Sequence, residues 1–350
     1  MQVREQVGLL LSMLTAKNAD SQSPLYARCH QLLDTLCSRA HSCALEIQAQ
    51  AAGEEGLREW METVLYWVMG LLKSGDARSL EGSLVRCLPP ILALQEMGQG
   101  DQDLALLAKQ TLAYTKYHHF SVPHIPPALG ALTEGSRAAN WHTRAASLSF
   151  LQAFVYRHAL LLQGAQWRVV EETVFALLID KQLEVRELAS LTLCGLLRVH
   201  PHPQPLHLRC SAAATALTGP KQRNKPVVAG SVGEEVRHGA VLGVAASIRS
   251  VPYDVPHWLP PLLMLLAHFV GEPPPVGSSV ALTFAEFRRT HADTWTQQRT
   301  LFTSDQLEVR GGLGLHLLNR KWVSVELTQS ASSVLSQVLS DLTLPPSYFV

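Results

Sequence analysis

The feature that most constrains this chain is a short frame of residue types that comes back along it. From Asp180 it reads Asp180-Lys-Gln-Leu-Glu-Val185-Arg186-Glu-Leu-Ala189-Ser-Leu-Thr-Leu193, with an alanine three residues after the arginine and a leucine seven after it. Residues three, four and seven apart share one face of an α-helix, so Arg186, Ala189 and Leu193 form a single stripe. A small alanine lets two helices approach closely, and the leucine packs into the next pair. Asp180 stands where the chain turns into the helix and can cap or brace that turn. The frame returns at Val236-Arg237-His-Gly-Ala240 with Val244, and more weakly at Thr143-Arg144-Ala-Ala-Ser147 with Leu151.

Arg144 and Arg186 lie 42 residues apart, inside the ~40–47 residues of a HEAT unit. Apolar residues recur at helical spacing elsewhere too, over 60–72, 104–114, 147–162, 169–178, 185–198 and 259–270. No alternating β-branched run bounded by hairpin turns accompanies them. The predicted fold class is all-α, a HEAT-like helical-repeat solenoid. A fourth copy, Val3-Arg4-Glu5 with Val7 and Leu11, opens the chain inside the second helix of a repeat. Solenoid ends need a capping repeat to shield their core, so a C-terminal piece of a longer array is expected.

Composition narrows the function. With 350 residues, 47% of them hydrophobic and 17% charged, the chain can bury several cores and general disorder is excluded. Lys+Arg and Asp+Glu both total 29, so the basic excess of a phosphate-binding protein is missing and no direct nucleic-acid partner is expected. None of the six cysteines forms a CxxC, which argues against a disulfide scaffold and for a reducing compartment. The longest apolar stretch, from Trp258 to Val270, holds Pro260 and Pro261 and is too short to span a bilayer. Nucleus and cytoplasm are the expected locations, with no membrane partner.

Three segments interrupt the helical pattern: a small linker at 49–56, a long Pro- and Gly-rich loop at 199–233, and a stiff turn at 271–279. Nucleophile-elbow, phosphate-loop, zinc-protease and kinase motifs are missing from the sequence, and Gly311-Gly-Leu-Gly314 follows no strand. His200, His202, His207 and Cys210 carry ligand types suited to zinc, the basis of a rival hydrolase reading. Pro201, Pro203 and Pro205 favour extended backbone that splays them apart, so a solvated loop is expected and no catalytic residue, metal or cofactor is assigned. Tyr117-His-His-Phe120 is read as a surface feature at a helix end. Cys29, Cys37, Cys43 and Cys194 are read as buried small hydrophobes. Lys221, Arg223 and Lys225 form a candidate basic import patch.

The C-terminal half carries a more specific signal. Val251-Pro-Tyr-Asp-Val-Pro-His-Trp258, Phe287-Arg-Arg-Thr-His291, Trp295 and Phe302-Thr-Ser-Asp-Gln-Leu307 together closely resemble the proteasome activator complex subunit 4 family, giant HEAT-repeat activators of the 20S proteasome. The likeness runs over most of 130–308 and resumes at 338–350, and 180–197 and the segment from Gly239 share it.

The resemblance implies a solenoid that caps the proteasome barrel without ATP and promotes ubiquitin-independent degradation. It also implies a C-terminal tail that enters a pocket between α-subunits and helps open the gate. Here the tail positions are Tyr348, Phe349 and Val350, with Phe349 where the family has tyrosine. An extended peptide of this kind lays side chains in the pocket and pairs its terminal carboxylate with a lysine. A phenylalanine keeps the ring burial and loses a hydrogen bond worth about 0.5–1.5 kcal/mol.

The family further implies a bromodomain-like segment tied to acetylated histones, DNA repair and spermatogenesis. It falls on 134–218, where His200 and Pro201 occupy the place of an asparagine amide and its aromatic neighbour. The expected division is 1–130 HEAT-like repeats with a truncated start, then 134–218 with the bromodomain-like region, and 219–233 as a basic loop. A C-terminal activator domain follows at 234–350, with a docking tail at 345–350. Residues 309–337 have no family counterpart and read as an insert, a retained short intron translated in frame. The competing binding reading is a HEAT scaffold for another protein partner, its docking disabled by Phe349 and the insert.

Overall fold

The computed structural model of the protein describes residues 2–17, 55–74, 80–95, 102–218 and 233–307, with isolated positions between 24 and 44 and at 78. The described residues are all-α, of the HEAT-like helical-repeat kind, with no strand among them. They divide into two compact units, Met1–Val174 and Phe175–Val350.

The first unit begins with α1 (Gln2–Lys17), α2 (Glu55–Ser74), α3 (Glu81–Ala93) and α4 (Gln102–Lys116). Along α2, Met61, Val64, Leu65, Val68 and Leu71 repeat at three- and four-residue steps and are buried, as the apolar period over 60–72 requires. Helices α1 and α2 approach closely because each sets a glycine against a side chain of the other. A Cβ on Gly8 would lie 2.6 Å from Tyr66 Cβ, and one on Gly70 2.7 Å from Ser12 Oγ. Arg4 closes this crossing with Glu59 at 2.6 Å and Glu62 at 2.5 Å.

After α4 the chain turns through a 3₁₀ segment, Val122–His124, into α5 (Ile125–Gly135) and α6 (Trp141–His158). Tyr117 and His119 are exposed just past the helix end, in line with the surface reading, and the segment departs from it at His118 and Phe120. Phe120 is fully buried, and its N–H donates to His158 Nε2 at 3.0 Å. His158 Nδ1–H therefore donates to Phe154 O at 2.8 Å. Buried Glu81 of α3 accepts from Ser121 N at 2.9 Å and from the Ser121 hydroxyl. It also lies 3.3 Å from His118 Nε2 and 2.9 Å from His124 Nδ1. Burial pushes the Glu81 carboxyl up, but the Ser121 hydrogen bonds and His118 outweigh it and hold the group below its ordinary range. Burial pulls the His118 and His158 imidazoles down.

Helix α7 (Gly164–Leu177) runs across the boundary between the units, and the second unit continues with α8 (Leu183–Val199), α9 (Gln204–Thr215) and α10 (Glu234–Arg249). It then carries α11 (Leu259–Ala267), α12 (Val276–His291) and the short α13 (Trp295–Gln298) and α14 (Ser304–Leu307). Helix α10 is its axis, buried from His238 through Ile248 and packed against α8, α9, α11 and α12. Gly239 of α10 is required by close approach: a Cβ there would stand 2.5 Å from Leu178 O.

The recurring arginines do repeated work. Arg186 Nη1 donates to the carbonyls of Asp180 (2.9 Å) and Lys181 (3.1 Å), six and five residues back. Arg144 Nη1 donates at the same offsets to Ala138 and Ala139, both at 2.9 Å. Each guanidinium thus ties off the turn ahead of its helix, where carbonyls would otherwise lack donors. Asp180 braces the same turn by accepting from Gln182 N at 2.8 Å. Arg237 instead pairs with Glu272, through Nε at 2.7 Å and through Nη2, and lies over the Phe269 ring.

One segment corrects the sequence reading. Residues 199–233 are not a loop throughout, because α9 occupies Gln204–Thr215 with Leu206, His207, Cys210 and Ala214 buried. Pro205 sits in the first turn of α9, where its missing N–H costs nothing and its fixed φ favours helix initiation. The prolines that suggested extended chain start a helix instead. The stiff turn at 271–275 does precede α12, whose first turn takes in the remaining residues to 279.

Candidate functional site

The two stretches that carry the family likeness, 251–258 and 287–307, meet in space. Val255 and Leu259 anchor the end of the first in the core of the second unit, which also holds Phe269, Phe284, Phe287 and Phe302. Trp258 stacks on His207 of α9 with ring centroids 4.1 Å apart. From the other side, His291 at the end of α12 places Nε2 3.3 Å from Asp254 O, with Nδ1 2.9 Å from both Phe287 O and the Thr290 hydroxyl. Gln298 of α13 donates to Tyr253 O at 2.7 Å. Trp295 packs edge-on to Phe287 and Phe302, at 6.3 and 5.3 Å between centroids, and seats the last described turn on the same core.

The result is a loop held from three sides. Pro252 and Pro256 restrict its backbone further. Val255 and Trp258 are consumed in this, whereas Tyr253 remains 70% exposed. Such an arrangement presents a fixed surface, and its polar contacts serve to position backbone. The sequence singled out both stretches without the roles of His291 and Gln298. Bonds to carbonyl oxygens 37 and 45 residues away leave no mark in residue type.

The other predicted positions fall as follows. His200 caps α8, with extended backbone and its N–H donating to Leu196 O. Its Nδ1 accepts from His202 N at 3.0 Å, and the neighbouring Pro201 is exposed. His207 and Cys210 face the helical core, where burial pulls the imidazole down to about 4 and pushes the thiol up to about 11. Among the described residues no group of three or more His, Cys, Asp or Glu is placed to hold a metal ion, so His200, His202, His207 and Cys210 are not brought together. The thiols of Cys87, Cys194 and Cys210 are buried. Tyr348, Phe349, Val350, the segment 309–337, the glycines at 311–314, Lys221, Arg223, Lys225, Cys29, Cys37 and Cys43 lie outside the described residues. No helix among the described residues is long and apolar enough to cross a membrane.

Comparison with known proteins agrees with this geometry. Residues 234–315, which include both stretches, match the family described as proteasome activator complex subunit 4-like, C-terminal. The chain is 39% identical over 251 residues to proteasome activator subunit 4 of Arabidopsis thaliana, covering 72% of this chain and 14% of that protein. It is 32% identical over 288 residues to proteasome activator complex subunit 4 of Homo sapiens, covering 75% and 15%. Proteasome activator BLM10 of Saccharomyces cerevisiae matches at 26% over 254 residues, 70% of this chain and 12% of that one. The chain thus spans about one seventh of the length of the first of these relatives. On these matches the chain belongs to the proteasome activator complex subunit 4 family.

Proposed function

We propose that this chain acts within an ATP-independent activator of the 20S proteasome, docking on the α-subunit ring through residues 348–350 and helping to open its gate. One observation carries the reading: residues 234–315 match this family's C-terminal region, and Tyr348, Phe349 and Val350 stand at the docking positions that the resemblance implies. The terminal carboxylate would pair with a pocket lysine while the two aromatic rings and Val350 line the pocket. In this reading the protein has no chemistry or cofactor of its own, and degradation proceeds without ubiquitin.

Residues 134–218 would carry the acetylated-histone role tied to DNA repair and spermatogenesis, with His200 and Pro201 at its candidate contact. Lys221, Arg223 and Lys225 would serve nuclear import, for a protein working in nucleus and cytoplasm. Residues 234–350 would form the activator domain, interrupted by the insert at 309–337. The test is hydrolysis of a fluorogenic peptide by purified 20S particles without ATP. The full chain raises the rate and a form lacking residues 348–350 does not; equal rates with and without the full chain would contradict the reading. Phe349 favours one alternative, a HEAT scaffold for another partner, in which the full chain leaves the rate unchanged.

A further inference from the structure

We infer that residues 117–124 form an acid-released strap, in which protonation of His158 frees the Phe120 end while Glu81 keeps the Ser121 end tethered.

The strap leads from α4 to α5, and two adjacent backbone amides hold it through acceptors of opposite kind. The Phe120 N–H ends on a neutral imidazole, His158 Nε2, at 3.0 Å. The Ser121 N–H ends on the Glu81 carboxylate at 2.9 Å. His158 has no spare place for a proton. Its Nδ1–H already donates to Phe154 O at 2.8 Å, so a second proton must go to Nε2 and set N–H against N–H. The buried Phe120 ring, 6.0 Å from Phe154 and 6.1 Å from His158 between centroids, then loses the bond that positions it.

The surrounding charges reinforce this. The His119 ring lies 4.8 Å from that of His158. Burial, and then His119, Arg157 and His118, pull the His158 imidazole down against the Phe154 bond. On α4, Lys116 donates to Ser149 of α6 at 2.8 Å, and the one titratable residue of α5, Glu134, is exposed. The nearby buried carboxylate, Glu81 of α3, is engaged by Ser121, His118 and His124.

An open strap lets His158 take its proton at the ordinary pH of ~6.5, and a closed one resists it. Acid below that value therefore favours opening, by up to about tenfold per pH unit. At the other end, a proton on His118 or His124 strengthens the pairing with Glu81 while the carboxylate is charged. The two ends should part company as the pH falls.

Amide hydrogen exchange of the full chain, resolved to single residues and corrected for its intrinsic pH dependence, tests this at Phe120, Ser121 and the buried Val68 of α2. From pH 7.5 to 5.5 Phe120 should lose protection about tenfold, with Ser121 and Val68 unchanged. His158→Gln keeps an acceptor and a donor without the titration and should flatten the Phe120 profile. Constant Phe120 protection in the unchanged chain would overturn the inference, and so would a fall shared by Ser121 or Val68. An unaltered pH slope in His158→Gln would overturn it as well. If that variant fails to hold the strap at any pH, the three amides of the unchanged chain still decide.

Discussion

Arg186 Nε donates to His238 Nδ1 across 3.0 Å, and both residues are buried. A guanidinium cannot accept, so His238 Nδ1 carries no proton and Nε2–H donates to Ser279 Oγ at 2.9 Å. One polar chain therefore links α8, α10 and α12 and ends on the turn carbonyls of Asp180 and Lys181. Protonating His238 would set two cations against each other in a buried site. Burial, and then the Arg186 charge, pull its imidazole down to about 4.

The pH dependence follows from that value. Between pH ~6.5 and about 4 the unfolded chain binds a proton at His238 that the folded chain refuses. Stability of the second unit should therefore fall as pH drops through that window, by up to about 3 kcal/mol from this residue. Thermal melts from pH 7.5 to 4.5 check it, and His238→Gln should flatten the slope. A melt as high at pH 4.5 as at 7.5 would contradict it.

The two turn-bracing arginines should differ in weight. Arg186→Ala leaves two carbonyls and a buried histidine without their donor and is expected to cost about 3–5 kcal/mol. Arg144→Ala, at a more exposed turn, is expected to cost about 1–2 kcal/mol. Arg186→Lys should not rescue, since one ammonium cannot span both the turn and His238. Urea unfolding midpoints measure all three.

Two glycines offer opposite outcomes for one substitution. At Gly239 an added Cβ would meet Leu178 O at 2.5 Å, so Gly239→Ala should destabilise by about 1–3 kcal/mol. At Gly130 nothing lies within 4 Å, and Gly130→Ala should stabilise by about 0.5–1 kcal/mol through helix propensity. Calorimetric melting of both variants reads the difference directly.

Glu81 gathers the 117–124 segment, and Glu81→Ala should release it. Loss of a buried carboxylate that accepts from Ser121 and lies beside two histidines is expected to cost about 2–4 kcal/mol. Because the carboxyl is held below its ordinary range, its contribution is present at neutral pH and is lost as pH falls through its folded value. Hydrogen exchange at the Phe120 amide, bound to His158, should report the release.

The legible part of this molecule was its period. The recurring frame announced the helix-facing stripe and the Asp180 turn brace, because each depends on residues within one repeat, whereas the bracing role of Arg144 and Arg186 emerged only from the structure. What escaped depended on distant partners. Glu81 lies 37 residues before His118, and nothing near His118 suggested a buried acceptor. Helix α9 was hidden by its own prolines, which read as extended chain until Pro205 proved to lie in a first helical turn. At the candidate site the apolar members were visible as aromatics. The positioning members, His291 and Gln298, hold backbone atoms that every residue type shares.

The central claim is tail docking, and the measurement is affinity for purified 20S core particles by co-sedimentation. Three forms are compared: the unchanged chain, one lacking residues 348–350, and Phe349→Tyr. Deletion should weaken binding at least tenfold, and Phe349→Tyr should tighten it by about 2–10-fold as a hydroxyl hydrogen bond returns. Equal affinity of all three forms would contradict the account.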